Sequence, residues 1–262
     1  MRFPAASKIV VFSCFAMLLL SSCKMAWRAV RYNKPSVTDF ELWEERKIAR
    51  AGEIHGFVDG QKTGIPPVDD WGLENWYKEG MTTEEYLKAT GTVAFVVLRG
   101  DTLLYEHYAA PFADTSRFNV FSMTKAYVSV LTGIAKEEGY IKSIDQSIGE
   151  FLPWCTDSSI CQITIRHLLQ MTSGIQSKEG FLNPWATTTK LYYGDQMEKL
   201  VHHLELKRPP GTKWVYQNIN SQLLGMIVRY ATDQPIGEYL SEKIWPPMGR
   251  EGERAGGLWG EP

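Results

Sequence analysis

The sequence predicts an α/β fold of the α+β kind, in which an antiparallel hairpin is followed by mostly helical chain. Two β-rich runs, Thr92–Leu98 and Thr102–Tyr108, enclose Arg99-Gly100-Asp101, a spacing typical of a β-hairpin. The first run is almost continuously apolar from Val93, which predicts a strand covered on both faces. From Ser122 onward, apolar residues recur at the spacing of a core-facing helix. Strands and helices do not alternate regularly, which disfavours a Rossmann or barrel fold.

The chain divides into an export segment, an arm and one compact domain. We assign residues 1–23 to the export segment, 24–60 to a tether and N-terminal arm, and 61–262 to the compact domain. Within that domain, the capping box Thr82-Thr83-Glu84-Glu85 predicts a helix that runs through about Thr90. Further helices are predicted after a cap at Thr164, over about Ser221–Tyr230 and after Pro235.

Composition is that of an ordinary soluble globular protein. The 262 residues are 44% hydrophobic and 22% charged, which suits one large or two small domains with a buried core. The formal net charge is -2, and the chain has no basic block and no zinc-finger spacing. We therefore expect no nucleic-acid partner, and we expect no cofactor.

The first 23 residues have the pattern of a bacterial export signal. Arg2 and Lys8 provide a positive start, and the apolar run Ile9–Leu20 is too short to span a bilayer comfortably. The following Ser21-Ser22-Cys23 completes a segment that resembles the lipoprotein box, in which the cysteine is lipidated. We expect a protein of the bacterial cell envelope, anchored to a membrane through Cys23. The alternative is a plain secretory peptide with an incidental cysteine.

Two cysteines, Cys155 and Cys161, remain in the mature part of the chain. An exported protein meets an oxidising environment, so a disulfide that closes this short loop is feasible. Neither cysteine lies beside a histidine at metal-ligand spacing, and we expect no metal site.

Ser122-Met123-Thr124-Lys125 matches the Ser-x-x-Lys pattern of an activated serine nucleophile. The pattern alone is weak, because chance supplies about one copy in a chain of this length, and Ser21 with Lys24 also matches it. Ser122 differs because it begins the amphipathic helix, where Lys125 shares its face and the helix start adds positive potential. A neighbouring lysine can act as the base that a serine hydroxyl requires. The tetrad alone also allows a serine N-cap with a solvated lysine one turn later.

Tyr216-Gln217-Asn218 is the only Tyr-x-Asn in the chain and follows the serine helix. In this order the two motifs resemble the serine β-lactamase and DD-peptidase superfamily. A Tyr-x-Asn second motif is similar to the class C β-lactamase branch, which also contains esterases and nylon-oligomer (aminohexanoate-dimer) hydrolases. Other segments resemble the family in family order, namely Phe121–Lys125, Ile163–Leu169, Met171–Gly174, Pro210–Thr212 and Leu223–Gly225. The resemblance runs from about Thr82 to Gly249.

The resemblance implies a catalytic role for each motif residue. Ser122 would attack a carbonyl and form an acyl-enzyme, and its backbone N–H would supply half of the oxyanion hole. Lys125 would accept the serine proton or ease its loss, and Tyr216 would act as acid and base toward the leaving group. Asn218 would hold the substrate or the lysine by hydrogen bonds.

The resemblance also implies the β-lactamase/transpeptidase-like fold, an antiparallel sheet flanked by helices with an all-helical insert over about 140–205. The expected activity is hydrolysis of an amide or ester bond in a small molecule or a peptide. Four substrate classes stay open: a β-lactam, a peptidoglycan peptide, a small ester and a linear amide oligomer. We favour the nylon-oligomer hydrolase or esterase side over a true β-lactamase.

One family feature does not occur in the sequence. The third motif, Lys-Thr-Gly or His-x-Gly, does not follow Asn218. In the family this motif lies on a later strand that forms one side of the active-site cleft. A backbone N–H of that strand is the second donor of the oxyanion hole. We therefore expect a C-terminally truncated domain, in which a hairpin without sheet partners would be marginal. The alternative function is a non-catalytic or inactive envelope lipoprotein of the same fold.

Overall fold

The computed structural model describes residues 24–32, 34–39, 46–47, 56–60, 80–155, 158–180, 186–194, 200–249 and 254–255. The export segment 1–23, with the predicted lipidation site Cys23, lies outside these residues, so both stay predictions. In the described part of the chain, no helix is long and apolar enough to cross a membrane. The described residues form two compact units, one within Ala51–Phe118 and Met248–Glu251 and the other within Met1–Arg50, Asn119–Pro247 and Gly252–Pro262.

The helices and strands, in chain order, are α1 (Lys24–Tyr32), β1 (Arg46–Lys47), β2 (Val58–Asp59), α2 (Thr83–Ala89), β3 (Ala94–Arg99), β4 (Thr102–Tyr108), α3 (Thr124–Glu137), α4 (Ser158–Cys161), α5 (Ile165–Leu169), α6 (Thr187–Tyr193), α7 (Asn218–Thr232), α8 (Ile236–Lys243) and β5 (Arg254–Ala255). Short 3-10 turns occupy Phe121–Met123 and Ile148–Glu150.

The unit Ala51–Phe118 contains the predicted hairpin. Strands β3 and β4 pair antiparallel, from Ala94 opposite Tyr108 to Arg99 opposite Thr102. Strand β2 adds a parallel neighbour to β4, which gives the sheet order β2-β4-β3. The hairpin therefore has a third strand that the sequence did not predict.

The expectation that β3 is covered on both faces is wrong. Val96 and Leu98 are 45% and 42% exposed. Side chains alternate between the faces of a strand, and it is Phe95 on the other face that packs. Its ring lies 6.1 Å from that of Tyr105, beside Tyr86 of α2. A continuous apolar run therefore does not show whether a strand is buried on one face or on both.

Two predicted helix starts are confirmed by their capping boxes. Thr82 Oγ1 accepts from the Glu85 N–H over 3.2 Å, and the Glu85 carboxylate accepts from the Thr82 N–H over 2.8 Å. Thr164 Oγ1 accepts from the His167 N–H over 3.3 Å, and His167 Nδ1 accepts from the Thr164 N–H over 3.2 Å. These exchanges satisfy N–H groups that have no partner within the first turn.

Helices α3 and α7 form the centre of the second unit. Each turns an apolar stripe into one shared core, whose buried members include Val128, Leu131, Ala135, Leu223, Ile227 and Val228. Helix α7 begins at Asn218, earlier than the predicted start at Ser221. Its first turn is held by hydrogen bonds of the Asn218 side chain and by Ile219, which is fully buried in the same core.

The arm contains a helix that the sequence did not predict. Helix α1 packs on α6, where Arg28 Nη1 donates to the backbone oxygen of Tyr193 over 3.3 Å. Ala29 and Tyr32 pack against the buried ring pair Tyr192 and Tyr193. The helix is amphipathic, but its nine residues are too few for a stable isolated helix, so it depends on this tertiary packing.

Candidate active site

Ser122 lies in the 3-10 turn that leads into α3, and it is exposed. Lys125 follows in the first turn of α3, and its Nζ donates a hydrogen bond to Ser122 Oγ over 2.9 Å. The spacing of three residues puts both side chains on one face of the turn. The predicted nucleophile and its predicted activator are therefore in direct contact.

Helix α7 supplies a second partner for Lys125. Asn218 is the first residue of that helix, and its Oδ1 accepts from Lys125 Nζ over 2.7 Å. The two helices are joined through a shared core that contains Leu131 and Ile227, both fully buried. The packing of α3 on α7 thus fixes the lysine between the serine and the asparagine.

Tyr216 lies against the same lysine. The Lys125 Nζ is 5.1 Å from the centroid of the Tyr216 ring, and the tyrosine is 46% exposed. Burial acts to raise the pKa of Tyr216, but hydrogen bonds with Ser122 and Lys125 and the lysine charge together hold that pKa below its ordinary value. The Glu179 carboxylate acts in the opposite direction and raises it.

The extended segment before α7 that carries Tyr216 is fixed by the loop that follows α5. The Val215 N–H donates to the Met171 oxygen over 2.8 Å. In the same loop Gly174 has φ +76°, and a Cβ there would lie 2.2 Å from the backbone oxygen of Arg208. Only glycine fits this contact, because both the space and the left-handed conformation exclude a side chain.

Glu179 is a site residue that the sequence analysis missed. Its carboxylate accepts from the Asn218 Nδ2 over 2.8 Å and from the Asn218 N–H over 3.3 Å. Ser177 Oγ, at 2.8 Å, and Thr188 Oγ1 also donate to it, and Asn218 Nδ2 lies 3.1 Å from Thr188 Oγ1. Glu179 and Thr188 together orient the asparagine amide so that its oxygen faces Lys125.

The two cysteines of the predicted disulfide take no part in these contacts. Cys155 and Cys161 form a disulfide with a Cα–Cα distance of 5.7 Å. Cys23 lies outside the described residues. Within the ranges that the structure describes, no group of three or more His, Cys, Asp or Glu side chains is arranged to hold a metal ion.

The contacts of Ser122 suit nucleophilic chemistry. A serine hydroxyl is a weak nucleophile until a neighbouring base takes its proton. Lys125 Nζ donates to that hydroxyl and the Tyr216 ring lies against the same lysine, so two groups that can transfer protons lie at the serine. Asn218 fixes the lysine, and Glu179 fixes the asparagine.

Comparison with known proteins identifies the family. The family model named Beta-lactamase matches residues 81–253. The chain belongs to the beta-lactamase family. This confirms the predicted superfamily of serine β-lactamases and DD-peptidases. The residues matched to the beta-lactamase family include Ser122, Lys125, Tyr216 and Asn218, and also Glu179.

Relatives of this beta-lactamase-family chain agree with that assignment. It is 28% identical to the 6-aminohexanoate-dimer hydrolase of Paenarthrobacter ureafaciens over 178 residues, which cover 63% of this chain and 44% of the relative. It is 26% identical to Protein flp of Staphylococcus aureus (strain MW2) over 168 residues, which cover 60% of this chain and 33% of the relative. The chain thus spans less than half the length of these curated relatives.

A solved structure confirms the fold. A Bacillus anthracis protein assigned as a 6-aminohexanoate-dimer hydrolase superposes with a TM-score of 0.70 at 19% identity, covering 83% of this chain and 59% of that one. The β-lactamase/transpeptidase-like fold predicted from the motifs is therefore correct.

Proposed function

We propose that the chain is a serine hydrolase that cleaves an amide or ester bond through an acyl-enzyme on Ser122. The observation that carries the proposal is the bridge made by Lys125, whose Nζ lies 2.9 Å from Ser122 Oγ and 2.7 Å from Asn218 Oδ1. A serine that merely caps a helix does not require a lysine one turn later to be hydrogen-bonded to the serine and to a second helix.

The reaction has two halves. In the first, Ser122 Oγ attacks the carbonyl carbon, its proton passes to the neighbouring base, and the same proton then goes to the leaving amine or alcohol. The bond to the leaving group breaks and an ester to Ser122 remains. In the second half a water loses a proton to that base and attacks the ester. The carboxylic acid leaves, and the proton returns to Ser122 Oγ.

Tyr216 is the proposed base. Lys125 donates to Asn218 Oδ1 and to Ser122 Oγ, which suits an ammonium group with three donors. Its positive charge and the hydrogen bonds around the phenol oxygen favour the phenolate, because they hold the pKa of Tyr216 below its ordinary value. Lys125 then acts by stabilising the phenolate and orienting the serine.

The proposed substrate is a linear amide or a small ester rather than a β-lactam. The support is the 28% identity to a 6-aminohexanoate-dimer hydrolase. Hydrolysis rates of a linear amide dimer, a nitrophenyl ester and a chromogenic cephalosporin test this substrate preference. Faster hydrolysis of the cephalosporin than of the other two would contradict it.

We further propose that the protein is exported and lipid-anchored through Cys23. The support is the segment Leu20-Ser21-Ser22-Cys23 after an apolar run. Cell fractionation of the full chain tests it: Cys23→Ala should move the protein from the membrane pellet to the soluble fraction. Retention of the variant in the pellet would refute the anchor.

A fluorophosphonate probe tests the acyl-enzyme. The probe forms a covalent bond to an activated serine, so the wild type should be labelled and Ser122→Ala should not. Ser129→Ala is a matched control, because Ser129 is an exposed serine of α3 and its loss should leave labelling unchanged. If a folded wild-type sample takes up no probe, the alternative of a non-catalytic envelope lipoprotein is favoured.

A further inference from the structure

The residue before the nucleophile has an unusual backbone. Phe121 has φ 44°, in the left-handed region that residues with a side chain rarely adopt. Such a conformation persists only where the surroundings hold it. The direction in which the chain enters Ser122 therefore depends on whatever fixes Phe121.

Asn119 and Tyr192 hold Phe121. The Phe121 N–H donates to Asn119 Oδ1 over 3.1 Å. The Phe121 ring stacks on the ring of Tyr192, with centroids 6.3 Å apart and planes 12° from parallel. Both the backbone and the side chain of Phe121 are thus tied to neighbours.

The holding residues are themselves anchored by the arm. Tyr192 is 1% exposed, and its hydroxyl donates to Asp39 Oδ2 over 2.9 Å while Asn119 Nδ2 lies 3.5 Å from the same hydroxyl. Asp39 is 4% exposed. The Asn119 N–H also donates to the backbone oxygen of Val37 over 2.6 Å. Burial and the Asp39 carboxylate raise the pKa of Tyr192, so its phenol stays neutral and can donate.

We propose that Asp39, Tyr192 and Asn119 form a positioning relay through which the N-terminal arm holds Phe121, and with it the Ser122 hydroxyl, in the reactive orientation. The relay rests on the proposed function of Ser122. Its members touch no reacting atom and act through Phe121. The arm is thereby part of the active site's support, although it lies outside the residues matched to the family.

Tyr192→Phe tests the relay, because it removes the hydroxyl and keeps the ring. Tyr239→Phe is a matched control: Tyr239 is also 1% exposed, and its hydroxyl donates to a carboxylate, Glu138, over 2.8 Å. With the fluorophosphonate probe, Tyr192→Phe should lower kinact by roughly tenfold and leave KI within about twofold, since small misplacements of a nucleophile cost rate rather than binding. Tyr239→Phe should leave kinact unchanged even if it lowers the melting temperature.

A second readout does not depend on activity. Amide hydrogen exchange of the peptide that contains Phe121 should be faster in Tyr192→Phe than in the wild type, because the asparagine that accepts from Phe121 has lost a partner. The exchange should be unchanged in Tyr239→Phe. Equal exchange in Tyr192→Phe and the wild type would overturn the relay, whether or not the wild type reacts with the probe.

Conservative rescue completes the test. Asp39→Asn keeps an acceptor oxygen for Tyr192 and should retain most of the wild-type kinact, whereas Asp39→Ala should match Tyr192→Phe. A wild type that labels at Ser122, together with Asp39→Ala and Tyr192→Phe variants that label equally fast, refutes the relay and leaves the proposed hydrolase standing. If the wild type is not labelled, the proposed hydrolase function is refuted. The hydrogen-exchange measurement then tests the positioning relay by itself.

Discussion

The Glu179 carboxylate binds Asn218 at two points, the backbone N–H and the side-chain Nδ2, over 3.3 and 2.8 Å. An amide that donates to a carboxylate on one side must present its oxygen on the other. That oxygen is the acceptor for Lys125 Nζ. The loop that carries Glu179 therefore determines, through one amide, where the positive charge of the site lies.

Removal of the Glu179 charge should change the pH dependence of the site. A nearby negative charge disfavours the phenolate, and Glu179 raises the pKa of Tyr216. In Glu179→Gln that pKa should fall further, so the rise of the labelling rate with pH should move to lower pH. The pH profile of fluorophosphonate labelling measures the shift.

The control for this variant is Glu137→Gln. Glu137 is exposed in the last turn of α3, so its charge has no contact with the tyrosine. The profile of this control should overlay that of the wild type. A Glu179→Gln profile that moves to higher pH would contradict the assigned direction.

Tyr216→Phe should lower the labelling rate by about 100-fold or more, the usual contribution of a general base. In the wild type the rate should rise with pH and level off below the ordinary tyrosine pKa of about 10, because the pKa of Tyr216 is lowered. The variant should lose this rise. Trp214→Phe is the control, because Trp214 is an exposed ring beside Tyr216 and has no acidic proton in this range. A persistent pH rise in Tyr216→Phe would assign the proton transfer to another group.

Truncation of the core under the site should cost stability. Leu131 of α3 is fully buried in the core that α3 and α7 share. Leu131→Ala should lower the free energy of unfolding by about 2–5 kcal/mol, because it removes apolar contacts and leaves a cavity. The midpoint and slope of urea unfolding measure this. Val130→Ala, 52% exposed on the same helix, should change it little, and equal losses in the two variants would refute the assigned core.

The ion pair between Asp145 and Arg166 should stabilise the fold only above acidic pH. Hydrogen bonds from Arg166 are the main cause that holds the pKa of Asp145 below its ordinary value. A carboxyl whose pKa is lowered by folding contributes stability above its unfolded pKa, about 3.9, and loses it as pH falls through the folded value. Asp145→Asn should therefore melt slightly below the wild type near neutral pH, with the difference closing in acid.

A double-mutant cycle is the check on that pair. Arg166→Gln should reproduce the loss of melting temperature, and the double variant should lose little more than either single variant. The effect should be small because both side chains are exposed, at 42% and 61%. Additive losses would mean that the two residues act independently.

The sequence predicts the parts of the site that depend on local order. Ser122 and Lys125 are three residues apart, and the 3-10 turn that continues into α3 brings their side chains together. Tyr216 and Asn218 could be predicted because Tyr216-Gln217-Asn218 resembles the second motif of the class C β-lactamase branch. The distance between the two motifs could not be predicted, because it depends on how α3 packs on α7.

Contacts between distant loops left no signal in the sequence. Glu179 and Asn218 are 39 residues apart, and Glu179 lies in a loop without periodicity. Asp39 and Tyr192 are 153 residues apart, and a single acidic residue in a charged arm resembles any solvated carboxylate. Burial alone distinguishes Asp39, and burial is a property of the folded chain.

The contact at Gly174 limits which amino acids this position can accept. The Gly174 backbone oxygen accepts from the Lys207 N–H over 2.9 Å, and the site where a side chain would begin is already filled by Arg208. In a library randomised at position 174 and sorted only for soluble expression, glycine alone should survive, with no selection for catalysis applied. The invariance would reflect folding, and a survey of tolerated substitutions would mistake it for a mark of function.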